Sequence, residues 1–168
     1  MIKQVLKIPA PVLRKKSKPV LEITHEIRQL VQDMKDTMYY EPGCGLAAPQ
    51  IGVSLRVIAY DSPEDNEGFR VLINPRVVKA DGREKGVEAC LSIPGVSGEV
   101  ARATSIQGEG MRLDGEKVSL ALTDFTARIL QHEIDHCDGI LYIDRLSMAE
   151  RSVIEKKLKK IRASAPSM

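Results

Sequence analysis

The chain has 168 residues, of which 43% are hydrophobic and 29% are charged, and its formal net charge is +2. This composition is typical of a globular protein with one core, so we expect a single domain over residues 1–168. The small net charge gives no reason to expect nucleic-acid binding by the whole chain, and no apolar run is long enough to span a bilayer. The three cysteines include no Cys-x-x-Cys pair and the N-terminus lacks a secretory signal pattern, which favours a cytoplasmic protein without disulfides.

In the N-terminal half, apolar spacing and turn residues predict one helix followed by short strands. Thr24 is a candidate cap for a helix that runs to about Tyr39, because apolar residues recur there at helical spacing. Residues 43–50 are rich in small side chains and should form a loop or a strand edge. Strands are predicted over residues 55–60, 70–73, 76–79 and 87–91, with Asn74-Pro75 separating the second strand from the third.

The C-terminal half is predicted to contain a β-hairpin and two further helices. Residues 104–111 and 117–122 flank a Leu-Asp-Gly-Glu turn, and Thr123 or Asp124 can cap a helix that ends near residues 138–139. Residues 141–144 are expected to be a short extended piece. A capping box at residues 147–150 opens a last helix, whose apolar face comprises Val153, Ile154, Leu158 and Ile161. This order of elements predicts an α+β fold with mostly antiparallel sheets.

The most informative segment is His-Glu-Ile-Asp-His at residues 132–136. Residues four apart lie on one face of a helix, so His132 and His136 can bind one metal ion, and Glu133 is a candidate proton shuttle beside them. The alternative is a chance pair of core or surface histidines. The chain has only three histidines, however, and the third, His25, is expected to be solvated.

Cys90 is the candidate third metal ligand, in the segment Glu-Ala-Cys-Leu-Ser at residues 88–92. On an extended strand, Glu88 and Ser92 share one side with Cys90, which is more typical of a site than of an apolar core face. Two histidines and one thiolate leave a coordination position open, as in catalytic rather than structural metal sites. The alternative for Cys90 is an ordinary buried cysteine.

Two further residues, Cys44 and Gln50, have both a site interpretation and a plain one. Cys44 lies between two glycines, so it can line a pocket without being a ligand, whereas Cys137 is expected to be a packed core residue. The side chain of Gln50 can donate to a developing oxyanion or can bond to loop backbone, and the residues alone favour neither.

Three segments together resemble the peptide deformylase family. They are Gly-Cys-Gly-Leu-Ala-Ala-Pro-Gln at residues 43–50, Glu-Ala-Cys-Leu-Ser at 88–92 and Gln-His-Glu-Ile-Asp-His at 131–136. They occur in the family's order, and the resemblance covers essentially the whole chain, with a length similar to the bacterial type-1 form. The resemblance implies antiparallel sheets packed around a central helix with the His-Glu-x-x-His motif, between an N-terminal and a C-terminal helix.

The resemblance also implies a reaction: removal of the formyl group from N-formylmethionyl nascent chains, with release of formate. Cys90, His132 and His136 would hold one divalent metal, usually Fe2+, with Zn2+, Ni2+ or Co2+ also able to occupy the site. Metal-bound water would attack the formyl carbon with Glu133 as general base and acid. The Gln50 side chain and the backbone N–H of Leu91 would stabilise the tetrahedral intermediate.

Substrate contacts are implied less directly. The backbone of Gly45 and Ala89, in motif segments that include Glu88, would hold the peptide in an extended pose. Helix spacing puts Phe125, Arg128 and Ile129 on the same side as His132. We expect Phe125 and Ile129, with Cys44, to enclose the methionine side chain. Arg128 can instead pair with a carboxylate near the pocket rim.

The chain departs from the family pattern at Ala89, where the family has glycine, and at Ser97, where many relatives carry an arginine that meets later substrate residues. An added methyl group at residue 89 can strain the site or weaken substrate binding. A non-enzymatic protein that binds formyl peptides without turnover is a competing hypothesis, and it depends on this alanine. Two more competing hypotheses are a metallopeptidase, for which a cysteine ligand is unusual, and a structural metal module, which needs a fourth ligand.

The partners expected are the formylated peptide and, through the basic C-terminal helix, the ribosome. The residues alone favour a solvated lysine-rich face for this helix, whereas the resemblance implies docking to ribosomal RNA phosphates. We expect a monomer without membrane contact.

Overall fold

A computed structural model of the chain describes residues 1–164 and contains three α-helices and seven strands over that range. In chain order these elements are α1 (His25–Tyr40), β1 (Gly45–Ala47), β2 (Val57–Tyr60), β3 (Arg70–Asp81), β4 (Glu84–Cys90), β5 (Ile93–Arg102), β6 (Ser105–Met111), β7 (Lys117–Thr123), α2 (Asp124–Cys137) and α3 (Met148–Ser164). Short 3-10 turns occupy Pro11–Arg14, Ala48–Ile51 and Tyr142–Arg145. None of the helices within residues 1–164 is both long and apolar enough to cross a membrane.

The strands form two separate antiparallel sheets. Five strands form one sheet in the order β1-β2-β3-β6-β7, while β4 and β5 pair only with each other in that part of the chain. The predicted α+β fold with antiparallel sheets is therefore confirmed, including the hairpin of β6 and β7. One face of α2 packs on the five-stranded sheet, and its His132 meets Glu88 of the β4–β5 hairpin on the other face.

Helix α1 forms where its capping residue and apolar spacing predict it. The Thr24 hydroxyl accepts a hydrogen bond from the backbone N–H of Ile27 at 3.4 Å, which satisfies one of the unpaired donors of the first turn. The apolar stripe of α1 is buried in the core beside β1 and β2: Ile27, Leu30, Val31, Met34 and Met38.

Strand β3 corrects the prediction of two short strands separated by Asn74-Pro75. It runs without a break across this dipeptide, with a register shift against β6 between Ile73 and Arg76. Asn74 has a positive φ of 52°, and its side-chain amide exchanges two hydrogen bonds of 2.8 Å with the backbone of Val20. A tertiary contact thus stabilises a bulge where the local sequence indicates a break.

Three further expectations were wrong. Residues 93–102 form β5, where no strand was predicted from the sequence. Residues 142–145 form a 3-10 turn rather than an extended piece. Val153 is exposed on α3, whose buried face consists of Ile154 and Leu158.

The capping interaction of this helix is confirmed, since the Glu150 N–H donates to Ser147 Oγ at 3.1 Å.

The core beneath α2 fixes the helix that carries both histidines. Ala127, Leu130 and Cys137 of α2 are fully buried against Ile58 and Leu72 of the sheet. The Cys137 side chain is thus a core residue, as predicted. Because this core is close-packed, α2 has little freedom to move relative to the sheet.

We expect Leu130→Ala to lower the free energy of unfolding by about 3 kcal/mol, because the substitution removes buried methyl groups and leaves a cavity. Urea denaturation checks this value. The matched control is Val153→Ala on α3, where the side chain is 81% exposed and a change within about 0.5 kcal/mol is expected. Equal effects of the two substitutions would contradict the described core.

Candidate metal centre

The structure brings the three predicted metal ligands together. One ligand atom from each of Cys90, His132 and His136 lies within 4.8 Å of the other two. Cys90 Sγ is 3.4 Å from His136 Nε2. Helix α2 presents the two imidazoles one turn apart, and β4 supplies the thiol from its last residue. The ligand set is thus assembled from two elements that are well separated in the chain.

A buried carboxylate orients the first histidine. His132 Nδ1 lies 2.8 Å from Glu88 Oε1, so this nitrogen donates its proton to the carboxylate and Nε2 is left to bind a metal. Hydrogen bonds of this kind fix the tautomer of metal-binding histidines and increase their basicity. The His132 ring also stacks on Tyr142, with ring centroids 6.1 Å apart.

The two imidazoles differ in pKa. Burial lowers the pKa of His132, but hydrogen bonds with Cys90 and Glu88 outweigh burial and hold this pKa well above its ordinary value. Burial and the adjacent His132 charge hold the pKa of His136 well below its ordinary value. Because a histidine binds metal through a deprotonated ring nitrogen, protonation of the cluster competes with metal binding.

Glu88 is the centre of a buried ionic network. Its carboxylate accepts hydrogen bonds from Arg102 Nε and Nη2 at 2.8 Å, and from Arg128 Nη1 at 2.7 Å. Burial raises the pKa of Glu88, but hydrogen bonds from Arg102 and His132 outweigh burial and lower the pKa to about 2. This carboxylate is thus ionised and fully engaged. The contacts of Glu88 thus orient His132, and its predicted part in substrate binding stays a prediction.

Glu133 has the opposite environment. It is 5% exposed, and its Oε1 atom has no hydrogen-bond partner among the described residues. Burial is the largest influence on Glu133 and raises its pKa to about 7. A carboxylate with a pKa near neutral can both accept and return a proton, which is the requirement for a general base that later acts as an acid.

The donor set fits a divalent transition metal. Sulfur and imidazole nitrogen are ligands that iron, zinc, nickel and cobalt accept, and three protein ligands leave a position for water. Within residues 1–164, these three side chains are the one cluster of histidine, cysteine and carboxylate groups close enough to share an ion. A four-ligand structural site thus has no support in the described part of the chain.

Gln50 makes the predicted loop interaction, and its side-chain amide also lies beside the metal-ligand cluster. Its Oε1 atom accepts a hydrogen bond from the Ala47 N–H at 2.9 Å, which is the plain loop interaction. Its Nε2 atom donates to Ser92 Oγ at 3.1 Å and lies 3.6 Å from Cys90 Sγ. The oxygen is thus anchored to backbone, while the amide N–H group faces the metal ligands.

A cavity of about 630 Å³ opens onto this centre. Its walls include every residue predicted for the site except His136, which lies behind the other ligands. Ile129 is 6% exposed at the cavity and Phe125 is 36% exposed. Leu91, the predicted backbone donor, lines the cavity together with the predicted substrate-binding residues Cys44, Gly45, Glu88, Ala89, Phe125, Arg128 and Ile129.

Ala89 causes no backbone strain in this structure. It pairs with Ser97 just before a register shift at Cys90, and the non-glycine residues with positive φ in the described chain are Asn74 and Asp124. The Ala89 side chain is exposed. An added methyl group at residue 89 therefore causes no strain through a positive φ, and its effect on substrate binding stays a prediction.

Two features of the site were not predicted from the sequence. Arg102 on β5 joins Glu88 to Asp135 of α2, donating to Asp135 Oδ2 at 2.6 Å, but nothing in the local sequence marks an arginine in an unpredicted strand. Gly45 leaves the space that Glu133 occupies, because an added Cβ would lie 2.5 Å from Glu133 Oε2. The glycine-flanked segment was the only signal for this contact.

Comparisons with known proteins point to one family. A family model described as polypeptide deformylase matches residues 2–152. A peptide deformylase of Symbiobacterium thermophilum is 53% identical over 145 residues, which cover 86% of this chain and 66% of that protein. A peptide deformylase of Halothermothrix orenii is 46% identical over 143 residues, or 85% of this chain and 92% of that protein. A crystal structure of a peptide deformylase from Thermus thermophilus is similar with a TM-score of 0.91 and 36% identity, covering 98% of this chain and 100% of that one.

We expect Gly45→Ala to slow hydrolysis of a formyl-methionyl peptide about 100-fold, because the new methyl group displaces the Glu133 carboxylate. Bound metal, measured by atomic absorption, should remain at the wild-type level. The control is Gly108→Ala, whose Cβ meets its nearest atom, Leu130 Cδ2, at an ordinary 3.4 Å. Unchanged turnover in Gly45→Ala would show that this close contact does not determine the position of Glu133.

Proposed function

This chain belongs to the peptide deformylase family, and we propose how its own residues carry out the family's reaction. The enzyme is a metal-dependent hydrolase that removes the N-terminal formyl group of formylmethionyl polypeptides and releases formate. The observation that supports our assignment of roles is the buried Glu133 carboxylate beside the Cys90, His132 and His136 cluster, one oxygen of which has no hydrogen-bond partner within residues 1–164.

The family uses a divalent metal, and we propose that Cys90, His132 and His136 hold it in this chain. When bound, such a metal lowers the pKa of water toward neutrality and so supplies the nucleophile. We propose Fe2+ as the ion used in the cell, with Zn2+, Ni2+ or Co2+ able to replace it. The thiolate and the two imidazoles are all ligands suited to these ions.

Glu133 is the proton carrier in this proposal. Its carboxylate takes a proton from the attacking water and later gives it to the departing amine of the peptide. A pKa of about 7 suits both steps, because neither the protonated nor the ionised form is strongly favoured near neutral pH. Because Gly45 has no Cβ, the Glu133 carboxylate can lie directly against the Gly45 backbone.

We assign the polarisation of the formyl oxygen to the Gln50 side chain and the Leu91 backbone N–H. Gln50 suits this role because its oxygen is bonded to Ala47, which fixes the orientation of its amide group. Donors that are already oriented stabilise a developing oxyanion without further reorganisation. The backbone of Gly45 and Ala89, at two walls of the cavity, would hold the substrate main chain.

We propose that Phe125, Ile129 and Cys44 enclose the methionine side chain, since all three line the cavity beside the metal ligands. Arg128 has a different role. Its guanidinium donates a hydrogen bond to Glu88, which supports the alternative that Arg128 pairs with a carboxylate rather than with substrate. The metallopeptidase alternative shares the His-Glu-x-x-His motif, but both the cysteine ligand and the family favour deformylation.

The decisive experiment measures formate release from formyl-Met-Ala-Ser by protein loaded anaerobically with Fe2+ or Ni2+. We expect Glu133→Ala to lower kcat by about 100-fold or more while one metal per chain is retained, because only proton transfer is lost. The matched control is Glu116→Ala, which removes an exposed carboxylate of the hairpin turn. No turnover by wild-type protein with one metal per chain would instead favour the binding-only alternative, and Ala89→Gly would then be the next variant.

We also propose that the basic face of α3 docks on the ribosome. Lys156, Lys157, Lys159 and Lys160 are exposed, whereas Ile154 and Leu158 are buried in the core. Deleting the helix would therefore damage the fold, and neutralising the lysines is the cleaner test.

We expect replacement of these four lysines by glutamine to weaken co-sedimentation with ribosomes at low salt while peptide turnover is unchanged. The matched control carries the same charge change at four other exposed lysines, namely Lys15, Lys16, Lys79 and Lys117. Equal co-sedimentation of both variants would exclude a specific role of α3.

The remaining proposals concern the state of the enzyme in the cell. We propose that it acts in the cytoplasm, where formylated nascent chains emerge, and that it works as a monomer. We further propose that residues 1–168 form one catalytic domain.

A further inference from the structure

The metal ligands belong to two parts of the fold that have different hydrophobic cores. Helix α2, with both histidines, packs on the five-stranded sheet. Cys90 is the last residue of β4, in the hairpin of β4 and β5. This hairpin packs instead with Tyr142, Ile154 and Leu158. No strand pairing joins the hairpin to the larger sheet within residues 1–164. Contacts across this boundary must therefore set the distance between Cys90 and the histidines.

Arg128 makes three of these contacts. Its Nη1 atom donates to Glu88 Oε2 at 2.7 Å and to the carbonyl oxygen of Val100 at 2.8 Å. Its Nη2 atom donates to the carbonyl oxygen of Glu84 at 2.8 Å. One guanidinium on α2 thus binds both strands of the hairpin. Arg128 also lies one helical turn before His132, so these bonds act directly beside a metal ligand.

Gly86 provides the surface on which this guanidinium rests. A Cβ added at Gly86 would lie 2.8 Å from Arg128 Cζ and 2.9 Å from its Nε and Nη2 atoms. The planar group is therefore in contact with the β4 backbone, and any larger residue would push it away. The Arg128 side chain is only 12% exposed, so its hydrogen bonds are shielded from water.

We infer that Arg128, seated on Gly86, is a positioning residue that holds the Cys90 hairpin against the His132 helix and so slows the loss of the metal. The inference depends on one element of the proposed function, namely that Cys90, His132 and His136 bind a metal ion. Arg128 acts through Glu88, whose other oxygen accepts the Nδ1 proton of His132. Loss of Arg128 loosens the hairpin and also removes one of the two arginines that fix this carboxylate.

The test follows the release of Co2+ from loaded protein to excess EDTA, through the absorption of the Cys90 thiolate–cobalt bond. We expect Arg128→Met and Gly86→Ala each to speed release about 10- to 100-fold, the factor by which losing a group that supports a metal ligand usually lowers metal affinity. Arg128→Lys should resemble Arg128→Met, because one ammonium group cannot reproduce a planar guanidinium that meets three acceptors. The matched control, Arg76→Met, removes an exposed arginine paired with Glu109 and should leave the rate unchanged.

The double variant separates this mechanism from general destabilisation. If both residues act through one contact, Gly86→Ala should add nothing to the release rate of Arg128→Met. Wild-type release rates in Arg128→Met, or fully additive effects in the double variant, would overturn the inference. If Arg128→Met fails to fold, the Co2+ release rate of Gly86→Ala tests the inference by itself, because this variant retains the arginine and displaces only its guanidinium. If wild-type protein holds Co2+ but releases no formate, the proposed function fails while this comparison still stands.

Discussion

The buried carboxylate of Glu88 is the interaction on which the metal centre depends. It accepts hydrogen bonds from Arg102, Arg128 and His132, which reach it from β5 and from helix α2. Such a charge is costly to bury unless it is paired, so loss of any one partner weakens the whole network. It therefore links the orientation of the His132 imidazole to the relative position of two separately packed parts of the fold.

Two buried carboxylates near the metal ligands have opposite properties because their neighbours differ. Glu88 is surrounded by cationic donors, which lower its pKa to about 2. Glu133 has one oxygen without a partner in the described part of the chain, and burial raises its pKa to about 7. A carboxylate that is permanently ionised can orient a ligand, and one that titrates near neutral pH can carry a proton. Both residues bear the same functional group, so the division of roles comes from the environment alone.

Local signals predicted the elements well where the chain itself supplies the determining interaction. The Thr24 cap and the apolar stripe placed α1 within one residue of its end, and the turn before β7 placed the hairpin. Prediction failed at Asn74, where a contact with Val20 stabilises a bulge that the Asn-Pro dipeptide indicates as a break. It also missed β5, which pairs with β4 alone and lacks the alternating apolar pattern of a half-buried strand.

The sequence by itself determined the chemistry of the site: the spacing of His132 and His136 requires one helical face, and the motif containing Cys90 supplies the third ligand type. Only the tertiary structure determined which other groups position the metal ligands and the Glu133 carboxylate. Arg102 and Gly45 act across the fold, on Glu88 and Glu133 respectively, through contacts between elements far apart in the chain. Spacing in a sequence reports neighbours on one helix or strand, whereas distances between packed elements are set by the shapes of the cores that separate them.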